Sequence, residues 1–232
     1  MTSPAYCRQE AFEAFRRGLS RIDTSSGLFE AAVAIAQHAH PEESAAEAAA
    51  AINNLGSAVE RGLRSDSDEA RLAHLHDLLF EIAGFCGDEK NYYLPENSYL
   101  PSVLRTKRGI PITLTLVYKL VAERIGLAVQ GVNAPGHFLA AVRCRERSGM
   151  RQIYVDPFYG GGLLTMEEAF DRIRAATGQD LHPDPALLRP ATPRAWLSRM
   201  LLNLQAIFSR QGSERDVYAM QELQACLNEL DR

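Results

Sequence analysis

The chain has 232 residues, of which 46% are apolar and 23% charged, and its formal net charge is −4. A chain of this length buries roughly 70–75% of its unfolded surface, so it can fold around a hydrophobic core without disulfides or metals. The slightly acidic balance gives no electrostatic reason to expect a nucleic-acid or anionic-membrane partner. The four cysteines, Cys7, Cys86, Cys144 and Cys226, show neither a CxxC zinc spacing nor a disulfide framework, which indicates a reducing compartment.

The amino-terminal segment MTSPAYCRQEAF lacks the basic and then apolar pattern of a signal peptide. No apolar run in the sequence approaches the roughly 20 residues that a membrane-spanning helix needs. We therefore expect a cytoplasmic protein without a membrane partner.

The first third of the chain has the apolar spacing of helices. Ser26 can cap one helix, and PEESAAEAAAAINN opens a second with Pro41 and two acids, which suit the positive end of a helix. Apolar positions from Leu72 to Phe85 trace one face of a third helix. Residues 1–88 are therefore predicted to form a helical region.

The middle of the chain combines helices with short strands. In RGIPITLTLVYKLVAERIGL, Pro111 suits the first position of a helix, where its missing N–H costs nothing, and Gly126 ends the helix. AVQGVNA predicts a strand, and HFLAAVRCR and RQIYVDPF around the turn ERSGM predict a hairpin. Thr165 and Glu168 have the capping-box spacing of a further helix. Residues 89–185 are predicted to form an α+β core with a small antiparallel sheet.

Two amphipathic stretches follow the proline-rich connector HPDPALLRPATP. Their apolar positions are Leu197, Leu201, Leu204 and Phe208 in the first stretch, and Val217, Met220, Leu223, Leu227 and Leu230 in the second. With Gly212 between them, they predict a helical hairpin over residues 186–232. Such a hairpin cannot bury its apolar face alone, so we expect it to dock on the rest of the chain.

One set of residues suggests chemistry: the helix start at Gly109–Pro111, His137 at the head of a strand, and Asp156 on the next strand. In thiol hydrolases and transferases, a helix N-terminus and a neighbouring imidazole lower the pKa of a cysteine. The histidine carries the proton, and an acid orients its ring. His137 alone would equally suit an ordinary core or turn position.

The predicted hairpin decides whether this histidine and aspartate meet. With a two-residue turn at Ser148–Gly149, Asp156 faces Ala141, four residues beyond His137, although both side chains share one face of the sheet. Direct pairing needs a turn centred between Glu146 and Arg147. The hairpin permits the pair without requiring it.

NSYLPSVLRTKRGIPITLTLVYKLVAERIGLAVQGVNAPGHFLAAV, followed by IYVDPFYGGGLLT, resembles the SirB-like branch of the transglutaminase-like superfamily over roughly residues 90–170. Related domains also occur in certain eukaryotic F-box proteins. The amino-terminal helices fit the same branch more loosely, and RAWLSRMLLNLQAIFSRQG is similar to the first unit of a tetratricopeptide-like extension. The resemblance implies a papain-like core, with cysteine at a helix start and histidine and aspartate on adjacent strands.

Carried over by residue, the resemblance assigns the histidine position to His137 and the aspartate position to Asp156. The cysteine position falls in RGIPIT, at Pro111 or its immediate neighbour, where no cysteine is present. This branch commonly shows that departure. The resemblance therefore implies a remnant His–Asp pair beside an emptied cleft, in a non-catalytic module that binds a protein or peptide and needs no cofactor. The helical tail would add interaction surface.

An enzyme is the alternative reading. A hydrolase or acyltransferase would use Thr113, Cys86 or Cys144 as a relocated nucleophile with His137 and Asp156. A threonine hydroxyl has a far higher pKa than a thiol and needs a well-placed base, and either cysteine would have to be brought to the histidine by the fold.

The candidate cleft includes four further residues as possible binding contacts. Pro111 and Thr113 lie at the helix start, and Asn97 and Asn133 lie in the loops that precede the helix and the strand. Both asparagines also suit local turn and loop roles, and Asp156 in VDPF also suits an Asx turn.

A metal centre on the His–Asp pair is a third reading, but two ligands are too few. The pairs His38/His40 and His74/His76 are two residues apart, which on a helix sends the rings to roughly opposite faces. We therefore predict no metal site and expect these four histidines at the surface or its boundary.

Overall fold

Helices surround a small sheet in the computed structural model, which describes residues 3–146 and 149–229. The α-helices are α1 (Gln9–Leu19), α2 (Ser25–Ala39), α3 (Ala45–Gly62), α4 (Asp68–His76), α5 (Leu100–Thr106), α6 (Pro111–Arg124), α7 (Met166–Thr177), α8 (Pro193–Gln211) and α9 (Glu214–Asn228). The strands are β1 (Cys86–Gly87), β2 (Arg108–Gly109), β3 (Ala128–Val132), β4 (Leu139–Glu146), β5 (Gly149–Asp156) and β6 (Gly162–Leu164). The predicted α+β class, a small antiparallel sheet with helical flanks, is confirmed.

Strands β3 to β6 form one antiparallel sheet in chain order, and β1 and β2 form a short parallel pair beside it. In the hairpin of β4 and β5, Ala140 pairs with Val155, and Glu146 pairs with Gly149. The predicted hairpin is therefore present, and it carries the strand that follows His137.

The register of this hairpin differs from the predicted one by two residues. Gly149, predicted in the turn, begins β5, while its predicted turn partner Ser148 lies outside the described residues. The observed register is midway between the predicted one and the one that direct His–Asp pairing requires. It brings Asp156 level with Leu139, two residues beyond His137, so a diagonal contact can join the two side chains.

Helix α6 occupies the centre of the molecule. Every residue from Pro111 to Tyr118 is buried, and the helix packs against β3 and β4 on one side and α3 and α5 on the other. A helix that is apolar all round is stable only where neighbours cover each face. Pro111 stands at its first position, as predicted, after Ile110 in extended conformation.

Side-chain capping defines the starts of α2 and α3, and both starts differ from the predicted ones. Thr24, and not Ser26, caps α2 through the N–H of Gly27, because Ser25 is already helical. Helix α3 begins after Ser44, which accepts from the N–H of Glu47, so the segment from Pro41 precedes the helix.

The predicted capping box of α7 is present. The Glu168 N–H donates to Thr165 Oγ1 at 3.2 Å, and the Thr165 N–H donates to Glu168 Oε2 at 2.7 Å. The predicted third helix ends as α4 at His76, after which the chain continues as a π-helical turn over Asp77–Ile82. One extra residue per turn shifts the side chains relative to an α-helix, and such turns are frequent at functional positions.

The carboxyl-terminal hairpin of α8 and α9 docks on the other helices: α8 packs on α2 and α6, and α9 packs on α1. Trp196, Leu197, Met200, Leu201 and Leu204 are buried on α8, and Leu230 lies outside the described residues. The Glu222 carboxylate on α9 accepts hydrogen bonds from the main-chain N–H groups of Ala5, Tyr6 and Cys7 at 2.7–3.3 Å.

Gly131 on β3 allows Trp196 to reach the sheet. A Cβ atom at this position would lie 2.2 Å from the Trp196 ring and 2.7 Å from the Phe138 ring. We predict that Gly131→Ala lowers the free energy of unfolding by about 1–3 kcal/mol, because both rings must shift. Gly162→Ala on β6 is the matched control, since the nearest atom to its Cβ would be the Tyr159 carbonyl oxygen at 3.8 Å. Equal urea midpoints for the two variants would contradict the prediction.

Candidate functional site

His137 and Asp156 form a buried pair. His137 Nε2 lies 3.0 Å from Asp156 Oδ2, and the exposed fractions of the two residues are 6% and 0%. A carboxylate only accepts hydrogen bonds, so Nε2 carries the proton that it donates to Asp156. The diagonal contact that the register permits is therefore made.

The Asp156 carboxylate is satisfied by several donors. Its Oδ1 accepts from the N–H groups of Phe158 and Tyr159 at 3.2 and 3.4 Å, which begins the short 3-10 helix Pro157–Tyr159. Its Oδ2 also lies 3.4 Å from Nε of Arg172 on α7. The Asx turn and the His–Asp pair, which the sequence offered as separate readings, are thus present in the same residue.

The other side of the His137 ring meets aromatic residues. The Phe158 ring stands edge-on to it at 6.2 Å between centroids, and the Tyr159 ring lies tilted at 6.1 Å. Arg172 places its guanidinium carbon 4.4 Å from the Tyr159 ring centre. Within residues 3–146 and 149–229, Nδ1 of His137 has no hydrogen-bond partner. That nitrogen is the one available to act as a base or to accept a hydrogen bond.

Pro111 begins α6, and α6 contacts the residue after His137 through Thr115. Thr115 donates its hydroxyl to the main-chain oxygen of Phe138, the residue after His137, at 3.4 Å. Pro111 is four residues earlier and therefore shares that helix face, one turn toward the helix start. From this periodicity we expect the start of α6 to face the His137 strand, and the residue that begins it has no nucleophilic atom.

Thr113 points elsewhere. It lies two residues from both Pro111 and Thr115, and two residues on a helix turn the side chain by about 200°. Its hydroxyl is fully buried and has no hydrogen-bond partner among the described residues. The helix geometry therefore directs Thr113 away from His137.

The two cysteines of the alternative reading also lie apart from the pair. Cys144 is seven residues beyond His137, mostly along β4, which at about 3.3 Å per residue puts it roughly 20 Å away. On β1, Gly87 faces the Phe158 ring, 2.5–2.6 Å from its would-be Cβ, so the neighbouring Cys86 points to the opposite side. There the Arg108 guanidinium contacts its sulfur.

Asn97 and Asn133 hold loops. Asn97 Nδ2 donates to Asp88 Oδ2 at 3.2 Å, and its main-chain oxygen accepts from the N–H of Ile110 at 3.1 Å, next to Pro111. Asn97 is 4% exposed, which suits this internal role. Asn133 is exposed, and its Oδ1 accepts from the Arg199 guanidinium at 2.6 Å, which ties the loop before His137 to α8.

Three residues at the site were not anticipated from the sequence: Arg172, Tyr159 and Arg199. Each reaches the site from another element, α7, the segment after β5 and α8 respectively. Their spacing from His137 in the sequence matches neither a helix nor a strand period. Their position at the site therefore follows only from the packing of the elements. In the described part of the chain, no group of three or more His, Cys, Asp or Glu side chains could hold a metal ion.

Of the four histidines predicted at the surface or its boundary, His38 is buried, whereas His40, His74 and His76 are half-buried. His38 is 6% exposed, its Nδ1 accepts from the N–H of Arg8 at 3.3 Å, and its Nε2 lies 3.1 Å from Asp216 Oδ1. His76 Nε2 lies 2.9 Å from the Tyr118 hydroxyl, and burial lowers the pKa of His76 to about 4. The predicted location was therefore wrong for His38, whose imidazole contacts Asp216 of α9, and it is confirmed for the other three histidines.

Comparison with known protein families identifies the superfamily of this chain. A family model described as the transglutaminase-like superfamily matches residues 46–202. The chain therefore belongs to the transglutaminase-like superfamily. No helix within the described ranges has the length and apolar character needed to cross a membrane.

The curated relatives are longer than the segments that match this chain. A UPF0162 protein of Xylella fastidiosa is 37% identical over 155 residues, 63% of this chain and 54% of the relative. A UPF0162 protein of Pseudomonas aeruginosa is 30% identical over 187 residues, 80% of this chain and 66% of the relative. Human F-box only protein 21 is 31% identical over 150 residues, 62% of this chain and 23% of that protein. The chain thus matches only about half the length of the first relative, and no solved structure matches it.

Replacing the buried carboxylate tests its part in the fold. We predict that Asp156→Asn lowers the free energy of unfolding by about 2–4 kcal/mol, since the amide cannot match the charge of Arg172 or accept at both oxygens. Asp184→Asn is the control, because exposed Asp184 also caps a 3-10 helix, through Ala186, and asparagine caps equally well. Chemical denaturation compares the two variants, and similar losses would contradict a special role for Asp156.

The burial of His76 predicts a pH effect on stability. Its folded pKa of about 4 lies below the usual 6.5, so the unfolded chain binds the proton more tightly. Its contribution is present above about pH 6.5 and is lost as the pH falls toward 4, by on the order of 3 kcal/mol. We predict that His76→Gln, which keeps a hydrogen-bonding group near Tyr118, shows a smaller loss than the unchanged protein over this range. Parallel pH profiles of the unfolding free energy would contradict this.

Proposed function

We propose that this chain is a non-catalytic transglutaminase-like module that binds a protein or peptide, in the SirB-like branch and with a tetratricopeptide-like helical tail. The observation that carries the proposal is the geometry at the start of α6. The His137–Asp156 pair is complete, and Pro111, in the segment where the resemblance places the cysteine, begins α6 without a nucleophilic atom. A base and its orienting acid without a nucleophile cannot perform acyl transfer through a covalent intermediate.

The cysteines support this reading. Burial raises the pKa of Cys7 to about 12 and also raises the pKa of Cys226, so neither supplies a thiolate near neutral pH. Cys144 is buried far along β4, and Cys86 points away from the pair. Nothing in this arrangement favours a hydrolase or acyltransferase that uses Thr113, Cys86 or Cys144.

A binding role is supported by the surroundings of the pair. The Tyr159 ring lies 6.1 Å from that of His137 and is 47% exposed, and exposed aromatic side chains are common in protein interfaces. The matching segment makes up 23% of human F-box only protein 21, which is consistent with a module combined with other domains. We also propose the division into residues 1–88, 89–185 and 186–232, and a cytoplasmic location, on the evidence of four cysteines without a disulfide in the described residues.

A substituted thiol tests both the geometry and the missing chemistry. We predict that Pro111→Cys gives a thiol with a pKa below the usual 8.5 or so, because the helix start and His137 both stabilise the thiolate. Pro193→Cys is the control, since Pro193 also begins an α-helix, α8. The pH dependence of iodoacetamide alkylation, read at each site by mass spectrometry, measures both values, and the double variant Pro111→Cys/His137→Ala should return to the control value.

The same proteins test the absence of activity. The unchanged chain should hydrolyse p-nitrophenyl acetate no faster than His137→Ala does. Turnover that disappears in His137→Ala would overturn the non-catalytic proposal. Equal thiol pKa values at positions 111 and 193 would show that His137 does not face the helix start.

A further inference from the structure

Arginine and tyrosine side chains form a continuous surface beside the His–Asp pair. We call it the arginine–tyrosine surface and define it by Tyr92, Tyr93, Tyr159, Arg172, Arg199 and Arg210. The rings connect through Phe158: Tyr92 lies 5.3 Å from Tyr93 and 6.0 Å from Phe158, and Phe158 lies 5.0 Å from Tyr159, between centroids. This series of aromatic rings extends from Tyr93, which contacts Arg210 of α8, to Tyr159, which contacts His137.

The arginines come from two helices and lie on the tyrosines. Arg210 places its guanidinium carbon 4.2 Å from the Tyr93 ring centre, as Arg172 does at 4.4 Å from Tyr159. Arg199 and Arg210 are eleven residues apart on α8, close to three full turns, so they share one helix face. Stacking on tyrosine leaves the N–H edge of a guanidinium open to a ligand.

Arg199 is a partly buried cation without an anion. Its guanidinium donates to Asn133 Oδ1 at 2.6 Å and to the Ala134 carbonyl at 3.2 Å, which are both neutral acceptors. Burial lowers its pKa, and the neighbouring Tyr92 phenol opposes that effect. Among the described residues, no carboxylate lies within ion-pair distance of Arg199 or Arg210, and the carboxylate beside Arg172 is the buried Asp156. Burying a charge without a partner is costly, so the surface is electrostatically incomplete.

We propose that the arginine–tyrosine surface binds a short acidic peptide segment. Carboxylates of the segment pair with Arg199 and Arg210, and the intervening side chains lie on Tyr93 and Tyr159. The inference rests on the proposed binding function and names the chemical class of its partner. Arginine forks match carboxylates in two parallel hydrogen bonds, and tyrosines supply apolar contact area at a low entropic cost.

A peptide fits this surface better than a nucleic acid does. Aromatic rings beside arginines also suit single-stranded nucleic acid, but the chain carries a net charge of −4, which repels an extended polyanion. A segment with a few carboxylates needs only the local positive charge of α8 and α7.

Fluorescence anisotropy with synthetic peptides tests the proposal on the full chain. The probe is a fluorescein-labelled peptide of about ten residues with alternating glutamate and phenylalanine, and its control carries glutamine in place of glutamate. We expect the acidic peptide to bind, with affinity that falls as sodium chloride rises, and the glutamine peptide to bind at least about fivefold more weakly.

Charge reversal locates the binding. Arg210→Glu should weaken binding of the acidic peptide by about fivefold or more, because one attraction becomes a repulsion. Arg64→Glu makes the same change in net charge at an exposed position between α3 and α4 and should leave the affinity unchanged. Circular dichroism spectra should show that both variants are folded. Because Arg210 is exposed, its substitution leaves the contacts of Arg199 with the loop at Asn133 in place.

The other possible outcomes would contradict either the inference or the proposed function. Equal weakening by Arg210→Glu and Arg64→Glu, or equal binding of the two peptides, would overturn the acidic class. If the glutamine peptide binds and His137→Ala abolishes that binding, the acidic class fails while the binding function stands. Tighter binding of a labelled oligothymidine would overturn the choice of a peptide. Absence of binding by both peptides and the oligothymidine would overturn the inference, whereas ester turnover would overturn the proposed function alone.

Discussion

The buried carboxylate of Asp156 is the constraint on which the candidate site depends. It gathers donors from three parts of the chain: the His137 loop, the turn after β5, and Arg172 on α7. A fully buried charge is tolerated only when such donors surround it, so the fold itself requires this arrangement. The His–Asp geometry therefore does not depend on catalysis for its maintenance. This explains how the His137–Asp156 pair can persist in a chain whose α6 begins with Pro111.

Much of the architecture was predictable because it depends on local chemistry. Pro111 at a helix start and the Thr165–Glu168 capping box are encoded within a few residues, and both stand as predicted. The parity that puts His137 and Asp156 on one sheet face also follows from the strand period of two. The register lies two residues from the one that a turn at Ser148–Gly149 would give, because turn composition alone does not fix which residues of ERSGM belong to the strands.

The remainder depends on contacts between distant segments. The burial of His38 arises from α9, which no pattern within α2 indicates, and the contact of His76 with Tyr118 arises from α6. The same holds for Arg172 and Arg199, which reach the site from helices far along the chain. Superfamily membership defines the fold, whereas the proposed loss of thiol chemistry rests on a single position, Pro111 at the start of α6. The functional conclusion therefore comes from the site and not from the fold.

The hydrogen bonds of Glu222 couple the local unfolding of α9 to that of the segment before α1. One carboxylate on α9 holds three successive main-chain N–H groups before α1, and Asp216 on the same helix contacts His38 of α2. Detaching α9 would leave those donors and that imidazole without their acceptors, so the two regions separate together. Amide hydrogens of Ala5, Tyr6 and Cys7 should then exchange with solvent at the rate set by α9, as one cooperative unit built from segments distant in sequence.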